Sequence, residues 1–500
     1  MSSTSTDEAI VGTPHVKLRR VLGFWPAYGA AVGLVVSGTA MVSVGYIAGS
    51  VGWSSIFTAL IALIPMMGAA FAYGELTAML PGGGMVSEYT MPAMGRLVSM
   101  FAVLSGYLVL VSCDGGTQVV IGGLSMEDIT GIPQPVTTWT LLGIVVVINL
   151  LGVGIYGRAE AIGTVTMAGI FLIVGLLGLF RVGEAAGVVE PLKRIPSFFE
   201  TGTAWLSGVG VAIWWFIGFE FACPIAEENV KPYKNIPRAL WVGLLSILTL
   251  DVILVYAIIR YVPLDELAGS AIPQIDGARG MLGAGGATVM TVITILAALT
   301  TCNAEMAALP RMLYGMAREG LVPKWFAWIH PRFRTPWVGI FFTAAIMAIT
   351  VVYISFKGAD INSILTLIMT ACIAWLVSYS IAMIDVIVLR KRYPDYPRLW
   401  KAPGGSLSML AGLAGVVYAI YTLPDYWMWA GIYMAAILVY CVAWLSYRRL
   451  PLFERTPIEY LASEIMVRSE PIVEWGPAVE AWLAHREWDH ERFLEFERNR

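Results

Sequence analysis

Carboxylates and paired hydroxyls stand inside apolar stretches of this chain, where lipid-compatible sequence ordinarily carries neither. Asp114 lies in "LVLVSCDGGTQVV", Glu220 in "AIWWFIGFEFACPIAEENVKPYKNIPRAL", and Asp251 in a further apolar run; Ser37 and Thr39 flank Gly38, and Thr300 adjoins Thr301. A charged side chain deep in a spanning segment costs about 2.5–3.5 kcal/mol even on lenient scales, so it usually faces a cavity or a partner. Asp114 has Gly115 and Gly116 beside it, which thin its helix, and is expected to contact an amine or ion. For Asp251, hydrogen bonding to neighbouring helices is the simpler expectation. Such groups suit capture of a charged solute. Bond-making is not indicated. His15, His330, His485 and His490 lie outside the apolar runs, and Cys113, Cys223, Cys302, Cys372 and Cys441 sit within or at the edge of them as small hydrophobes. With no Ser–His, Cys–His or metal pattern in a run, a membrane enzyme is disfavoured.

The elements that must hold these groups are membrane helices. The 500 residues are 58% hydrophobic and 13% charged, with mean hydropathy +0.73, too much apolar surface for a soluble domain of this size. A span needs about 20 mostly apolar residues, and about twelve such runs follow one another. They cover approximately 21–50, 52–79, 96–124, 136–156, 159–182, 202–228, 237–262, 284–316, 335–356, 361–390, 406–424 and 427–447. The first twenty residues are polar and the first run exceeds a signal's hydrophobic core, so no cleavable signal is expected.

Loop charges set the orientation. With the N-terminus inside, the inner loops carry 18 Lys and Arg, from Lys17, Arg19 and Arg20 to Arg398 and Lys401. The outer loops carry 6: Arg181, Lys193, Arg194, Arg260, Arg279 and Lys357. That bias predicts a multi-pass cell-membrane protein with both termini cytoplasmic. The tail, 451–500, is too polar to span; its Trp475, Trp482 and Trp488 at helix-like spacing fit either an amphipathic segment packed on the inner face or bound to a partner, or a solvated, partly disordered one.

Two runs are interrupted. The first, "YGAAVGLVVSGTAMVSVGYIAG", places Ser37, Gly38 and Thr39 amid its glycines, and the sixth carries Gly218 and Glu220 five spans later. Glycines in a membrane helix otherwise serve close packing; paired interruptions in two five-helix halves point to an inverted-repeat transporter with broken helices. Unwound backbone offers amides to an anionic group and carbonyls to a cation. Glu220, just past the break, is either a cap favoured by the helix dipole or a proton acceptor.

Phe216-Ile217-Gly218-Phe219-Glu220, with Glu227-Glu228 and "VKPYKNIPRAL" after it, resembles the sixth helix of the amino acid–polyamine–organocation permeases. "GELTAMLPGGG", "INLLGVGIYGRAEAIG" and "NAEMAALPRMLYGMAREGLVPKWFAWIHPRFRTPW" are similar to three further signatures of that family, in order, across nearly all of 20–450. Met85 stands where the family usually has a glycine, and Ser87 where it usually has tyrosine. The resemblance implies an all-α, LeuT-like fold: a core at 21–390 of two inverted five-helix repeats (21–182 and 202–390) with helices 1 and 6 discontinuous. The segment 1–20 precedes it, two appended spans occupy 391–450, and 451–500 is the tail.

By the same resemblance, the backbone at Ser37, Gly38 and Thr39 would meet a substrate carboxylate if there is one, and carbonyls near Phe216 and Ile217 would receive an amine. The third helix, with Asp114, would line the substrate path. Trp214 matches a substrate-facing tryptophan of related arginine/agmatine antiporters, and an indole face suits an organic cation; it or Trp215 serves equally well as a packing aromatic. Several relatives place a lysine on the fifth helix in the cation site. Here the matching position is read as Ile170, and Thr300-Thr301 resembles the hydroxyl pair of sodium-coupled relatives. With carbonyls between Gly33 and Val36, that pair predicts Na+ as the coupling ion and no other cofactor; a back-bonded threonine is the alternative. The expected function is a secondary transporter of an amino acid or small organic amine, with an ion-independent exchanger or a permease-like sensor as alternatives. Its expected partners are the solute and membrane lipid, not nucleic acid; oligomeric state is not legible.

Overall fold

The computed structural model describes residues 20–151, 153–192, 200, 202–333, 335–468 and 470–499. Of the charges and histidines read above, His15, Lys17, Arg19, Lys193, Arg194 and Arg334 lie outside them. The elements are helices, with an isolated bridge between Leu22 and Asn229. The first apolar run is split into α1 (Phe24–Gly33) and α2 (Gly38–Val51), followed by α3 (Ser55–Met79), a glycine loop and α4 (Val86–Met94). The third run is α5 (Arg96–Val103), two wide π-type turns at Leu104–Leu108 and Val111–Gly115, and α6 (Gly116–Thr130). Next come α7 (Gln134–Leu151), α8 (Val153–Leu179) and the single turn α9 (Val182–Ala185).

The sixth run holds only α10 (Val209–Ile213) and two tight turns, Phe219–Ala222 and Pro224–Glu228. After it lie α11 (Pro232–Ile258), α12 (Leu264–Gly269), α13 (Pro273–Arg318), α14 (Trp337–Lys357) and α15 (Ile361–Arg392). Then follow α16 (Gly405–Tyr421) and α17 (Trp427–Tyr447). Among the described residues, eight helical stretches, with Gly38–Met79 counted as one, are long and apolar enough to cross a membrane. Gly163–Leu179 and Gly405–Tyr421 are shorter apolar helices. The first and sixth runs give no span of their own because each is interrupted midway. In α13 the backbone at Gly283 (φ 68, ψ −158) separates an N-terminal arm from the longer part of the helix, close to where the sequence pattern starts that run.

Helix faces sort by solvent. On α17, Ala430, Ile437, Cys441 and Leu445 are buried, whereas Met428, Ile432 and Val439 are exposed and apolar, as lipid requires. The face bearing Arg20 and the tail is polar and tied together. Glu75, wholly buried at the end of α3, accepts from Nε (2.8 Å) and Nη2 (2.5 Å) of Arg390 and from the amide of Ala402 (2.7 Å). Gly83 in the glycine loop donates its amide to Glu227 Oε1 at 2.9 Å. Met85 ends that loop with φ 52 and ψ −131, a backbone that favours glycine.

The tail is ordered on this face as α18 (Ile458–Arg468), α19 (Trp475–His485) and α20 (His490–Asn499). Trp475 is buried and its indole donates to the carbonyl of Met79 at 3.0 Å, while Trp482 meets Tyr396 edge-on at 4.8 Å. Arg20 donates Nε to the carbonyl of Glu470 (2.7 Å) and Nη1 to that of Ala226 (2.8 Å), joining the start of the core to the tail.

Candidate functional site

The two interruptions meet. After Gly33 the chain turns through Val36 into Ser37, which is extended (φ −127, ψ 162) and caps α2 by accepting the amide of Ala40 on Oγ at 3.2 Å. Opposite, Trp214 to Ile217 turn tightly off α10 to Gly218, whose φ of 109 only glycine adopts easily. A Cβ on Gly218 would fall 2.2 Å from Cδ2 of Leu34, so the sixth run packs directly on the turn of the first. Phe216 and Ile217 are buried there. The part after Gly218, expected as a regular half-helix, is instead a pair of short tight turns separated at Cys223, because Pro224 supplies no amide to continue a helix.

Thr39 is the hub. Its hydroxyl accepts from Nε2 of Gln118 at 2.7 Å and from the indole of Trp214 at 3.2 Å, and it sits 3.3 Å from Ser37 Oγ. Gln118 also donates to Asp114 Oδ2 at 3.1 Å, and its Oε1 accepts the amide of Thr39 at 3.4 Å. Thus Ser37, Thr39, Asp114 and Trp214, taken from three separate runs, share one buried polar network, and Gly38 lies against its Gln118. Asp114 reaches it from the second π-type turn, where the extra residue per turn re-aims a side chain. Gln118 was missed in the sequence, although it stands one helical turn beyond Asp114.

A second carboxylate, missed in the sequence, lies beside Asp114. Glu305 of α13 is wholly buried, and its carboxyl hydrogen-bonds that of Asp114. A Cβ on Gly115 would fall 2.6 Å from Glu305 Oε2, so the glycine leaves the room this carboxyl occupies. The sequence signal was the one that flagged Asp114, an acid inside an apolar run. One turn before Glu305, the Thr301 hydroxyl is buried without a partner, while Thr300 bonds back to the carbonyls of Leu296 and Ala297, both at 3.1 Å.

The fifth-helix residue facing the first break is Thr164, not Ile170. A Cβ on Gly33 would fall 2.3 Å from Thr164 Oγ1, and one on Gly163 would fall 2.6 Å from Thr300 Cγ2. Ile170 lies about two turns further along the helix and is only partly buried. Motif spacing misplaced this position because α8 enters at an offset the sequence does not encode. The position still carries no lysine. Gly33 thus meets Thr164, and Gly163 meets Thr300, whose hydroxyl is engaged by its own helix.

Glu220 belongs to a separate cluster. Its Oε2 accepts from Tyr379 at 2.5 Å and its Oε1 from Tyr107 at 3.3 Å, and Tyr379 in turn accepts the amide of Gly218 at 3.3 Å. Trp375 and Tyr73 pack edge-on or tilted against these phenols. The Glu220 side chain is held chiefly by phenols of α15 and the third run, with its own backbone amide as a lesser donor. Asp251 is buried on α11, yet among the described residues no group hydrogen-bonds its carboxyl, contrary to expectation.

Comparison with known proteins places this architecture. The amino acid permease family matches residues 22–437. The branched-chain amino acid permease BcaP of Bacillus subtilis is 24% identical over 468 residues, covering 89% of this chain and 97% of that protein. The methylthioribose transporter of the same organism is 23% identical over 433 residues, 81% and 89% of the two chains. The D-serine/D-alanine/glycine transporter of Escherichia coli is 23% identical over 223 residues, 44% and 47% of the two chains. Among solved structures, the manganese transporter of Eremococcus coleocola shares the fold at a TM-score of 0.53 and 12% identity, covering 87% of this chain and 98% of that one.

Proposed function

This chain belongs to the amino acid permease family, and on that premise we propose a secondary transporter that moves an amino acid or small organic amine by alternating access, driven by a cation gradient. The observation that carries the reading is the convergence of both interrupted runs, at Leu34 and Gly218, on the network of Thr39, Asp114, Gln118 and Trp214. Broken helices are tolerated in lipid only where protein or a cavity satisfies their backbone, and there they form ion and solute sites. The solute's amine sits against Asp114 and the carbonyls at Phe216 and Ile217, with the Trp214 indole beside it. Relatives named for branched-chain and small amino acids support the amino acid class.

Sodium is the proposed coupling ion over protons. The absence of a lysine where Thr164 meets Gly33, with Thr300 across from Gly163, supports it. Positive loops and the shared face of Arg20 and the tail support cytoplasmic termini. Uptake into proteoliposomes tests the coupling: an inward sodium gradient should raise initial uptake above that in potassium. Equal uptake in both, with a pH gradient required, would replace sodium by protons.

A further inference from the structure

The helices α1 and α11 close on each other at Gly243, where a Cβ would lie 3.4 Å from that of Ala31. Towards their N-terminal ends an open groove of about 520 Å³ lies between them, lined by Phe24, Trp25, Tyr28, Arg238 and Val242. That is within the roughly 300–1,000 Å³ of small-molecule sites. Phe24 and Trp25 meet edge-on at 5.3 Å, and Trp25 meets Tyr28 edge-on at 5.9 Å, so three rings of α1 form one wall. Trp25 is nonetheless 74% exposed, and Leu245, about two turns beyond Arg238 on α11, is also exposed. This apolar strip faces outwards and away from the solute network.

Two cations stand at its mouth. The Arg238 guanidinium lies over the Phe24 ring, 5.0 Å from its centre, and is exposed; among the described residues it has no acidic partner. Lys234 stands one turn earlier on the same helix face, exposed and likewise without an acid. Neighbouring cations are answered: Arg20 by the Glu470 and Ala226 carbonyls, and Lys231 by Glu474 at 3.6 Å. Both helices begin at the polar face tied together by Arg20 and the tail, which sets the groove at the boundary between headgroups and acyl chains. Tryptophan and tyrosine concentrate at that boundary. A phosphate there meets two unanswered cations, and a chain attached to it meets the aromatic wall and Val242. A soluble anion would use only the cations, and a zwitterionic headgroup brings a cation of its own.

We propose that the groove between α1 and α11 is a binding site for one anionic phospholipid. Arg238 and Lys234 hold its phosphate, and an acyl chain lies along Trp25, Tyr28 and Val242. The site is separate from the solute network and does not depend on the transport reading.

The test is a lipid titration of the purified full-length protein in detergent, with bound lipids counted by native mass spectrometry. The probes are dioleoyl-phosphatidylglycerol, dioleoyl-phosphatidylcholine and glycerol 1-phosphate. Phosphatidylglycerol should bind about tenfold or more tighter than phosphatidylcholine, and Arg238→Gln and Lys234→Gln should each weaken it about fivefold, the worth of one basic side chain against an anionic headgroup. Arg238→Lys, which keeps the charge, should retain most of the binding. Trp25→Ala should weaken both lipids, because it touches the chain and not the headgroup. Lys391→Gln, which removes an exposed cation from the end of α15, should leave phosphatidylglycerol unchanged. Equal binding of the two lipids overturns the proposal, as does an equal loss in Lys391→Gln, which would mean diffuse attraction to a positive face. Displacement of phosphatidylglycerol by glycerol 1-phosphate at equal concentration also overturns it, making the site one for soluble phosphates. Should Arg238→Gln fail to fold, Lys234→Gln against Lys391→Gln carries the same comparison.

Discussion

Replacing Gly218 with alanine tests whether the meeting of the two interruptions is a fixed feature of the fold. The residue holds φ 109 and ψ −4, and its missing Cβ would lie 2.2 Å from Leu34 Cδ2. An L-residue held there costs about 1–3 kcal/mol of backbone strain. The collision is with the end of a flexible side chain, so Leu34 can swing aside for about 0.5–1.5 kcal/mol of rotamer strain. The sum, about 1.5–4.5 kcal/mol, corresponds to roughly ten- to a thousand-fold in the population of the native arrangement. Thermal unfolding in detergent and initial uptake rate should both fall for Gly218→Ala. A double-mutant cycle with Leu34→Ala separates the two causes: the steric part appears as a coupling of about 1 kcal/mol, and the backbone part persists in the double variant. An unchanged unfolding temperature with full uptake, or zero coupling to Leu34, would refute the argument.

Three further outcomes follow from features away from this contact. Glu75→Gln leaves the Arg390 guanidinium without its bidentate partner; because Arg390 is partly exposed, the loss should lie near the lower end of about 3–5 kcal/mol, read as a lowered unfolding temperature. Trp475→Ala removes a buried indole and its bond to Met79, about 3–5 kcal/mol of packing, so trypsin should cut the tail at Arg486 faster than in wild type while the spanning helices stay intact. Asp360, outside the spans, caps α15 through the amides of Asn362 and Ser363, and these bonds, that of Ser363 foremost, hold its carboxyl below the usual range. Its folded value is depressed, so the cap's stabilisation is full above the ordinary carboxylate range and is lost as pH falls through the lowered one; Asp360→Ala should cost about 1 kcal/mol at neutral pH and nothing further at pH 2, by thermal unfolding.

The interrupted runs were legible because a glycine beside polar residues violates the pattern of a spanning helix wherever it occurs. Asp114 was legible for a similar reason, as an acid where lipid penalises one. Glu305 gives the same signal, but "NAEMAALPRMLYGMAREG" was absorbed whole into a family signature, and its acid went unread. Gln118 is neutral and excites no suspicion alone; it matters because it bridges Asp114 to Thr39, which lies 79 positions before it in the sequence. Thr164 shows the harder limit. Which turn of α8 abuts Gly33 depends on how deep that helix is set, and helix depth leaves no local trace. The docking of Trp475 on Met79 was undecidable for the same reason, since amphipathic spacing shows that a face exists without showing what covers it.

The buried carboxyls near the sixth run are thereby sorted by what already answers them. Glu220 has a phenol on each oxygen, and the Tyr379 hydroxyl that serves it also accepts the amide of Gly218. A charge so enclosed gains little from a solute and much from keeping α15 and the third run registered on the break. Any movement that swings the Gly218 turn must stretch or exchange those two bonds, which makes Glu220 a tie between moving parts and leaves proton transfer to it dependent on such movement. Asp114 stands apart from that cluster: it meets the Gln118 amide, the Thr39 hydroxyl and the carboxyl of Glu305, so the acids of the third run and α13 answer each other. The acid that lies beside the interruption in the sequence is therefore bound to the fold's own phenols, whereas Asp114 joins the network on which both interruptions converge.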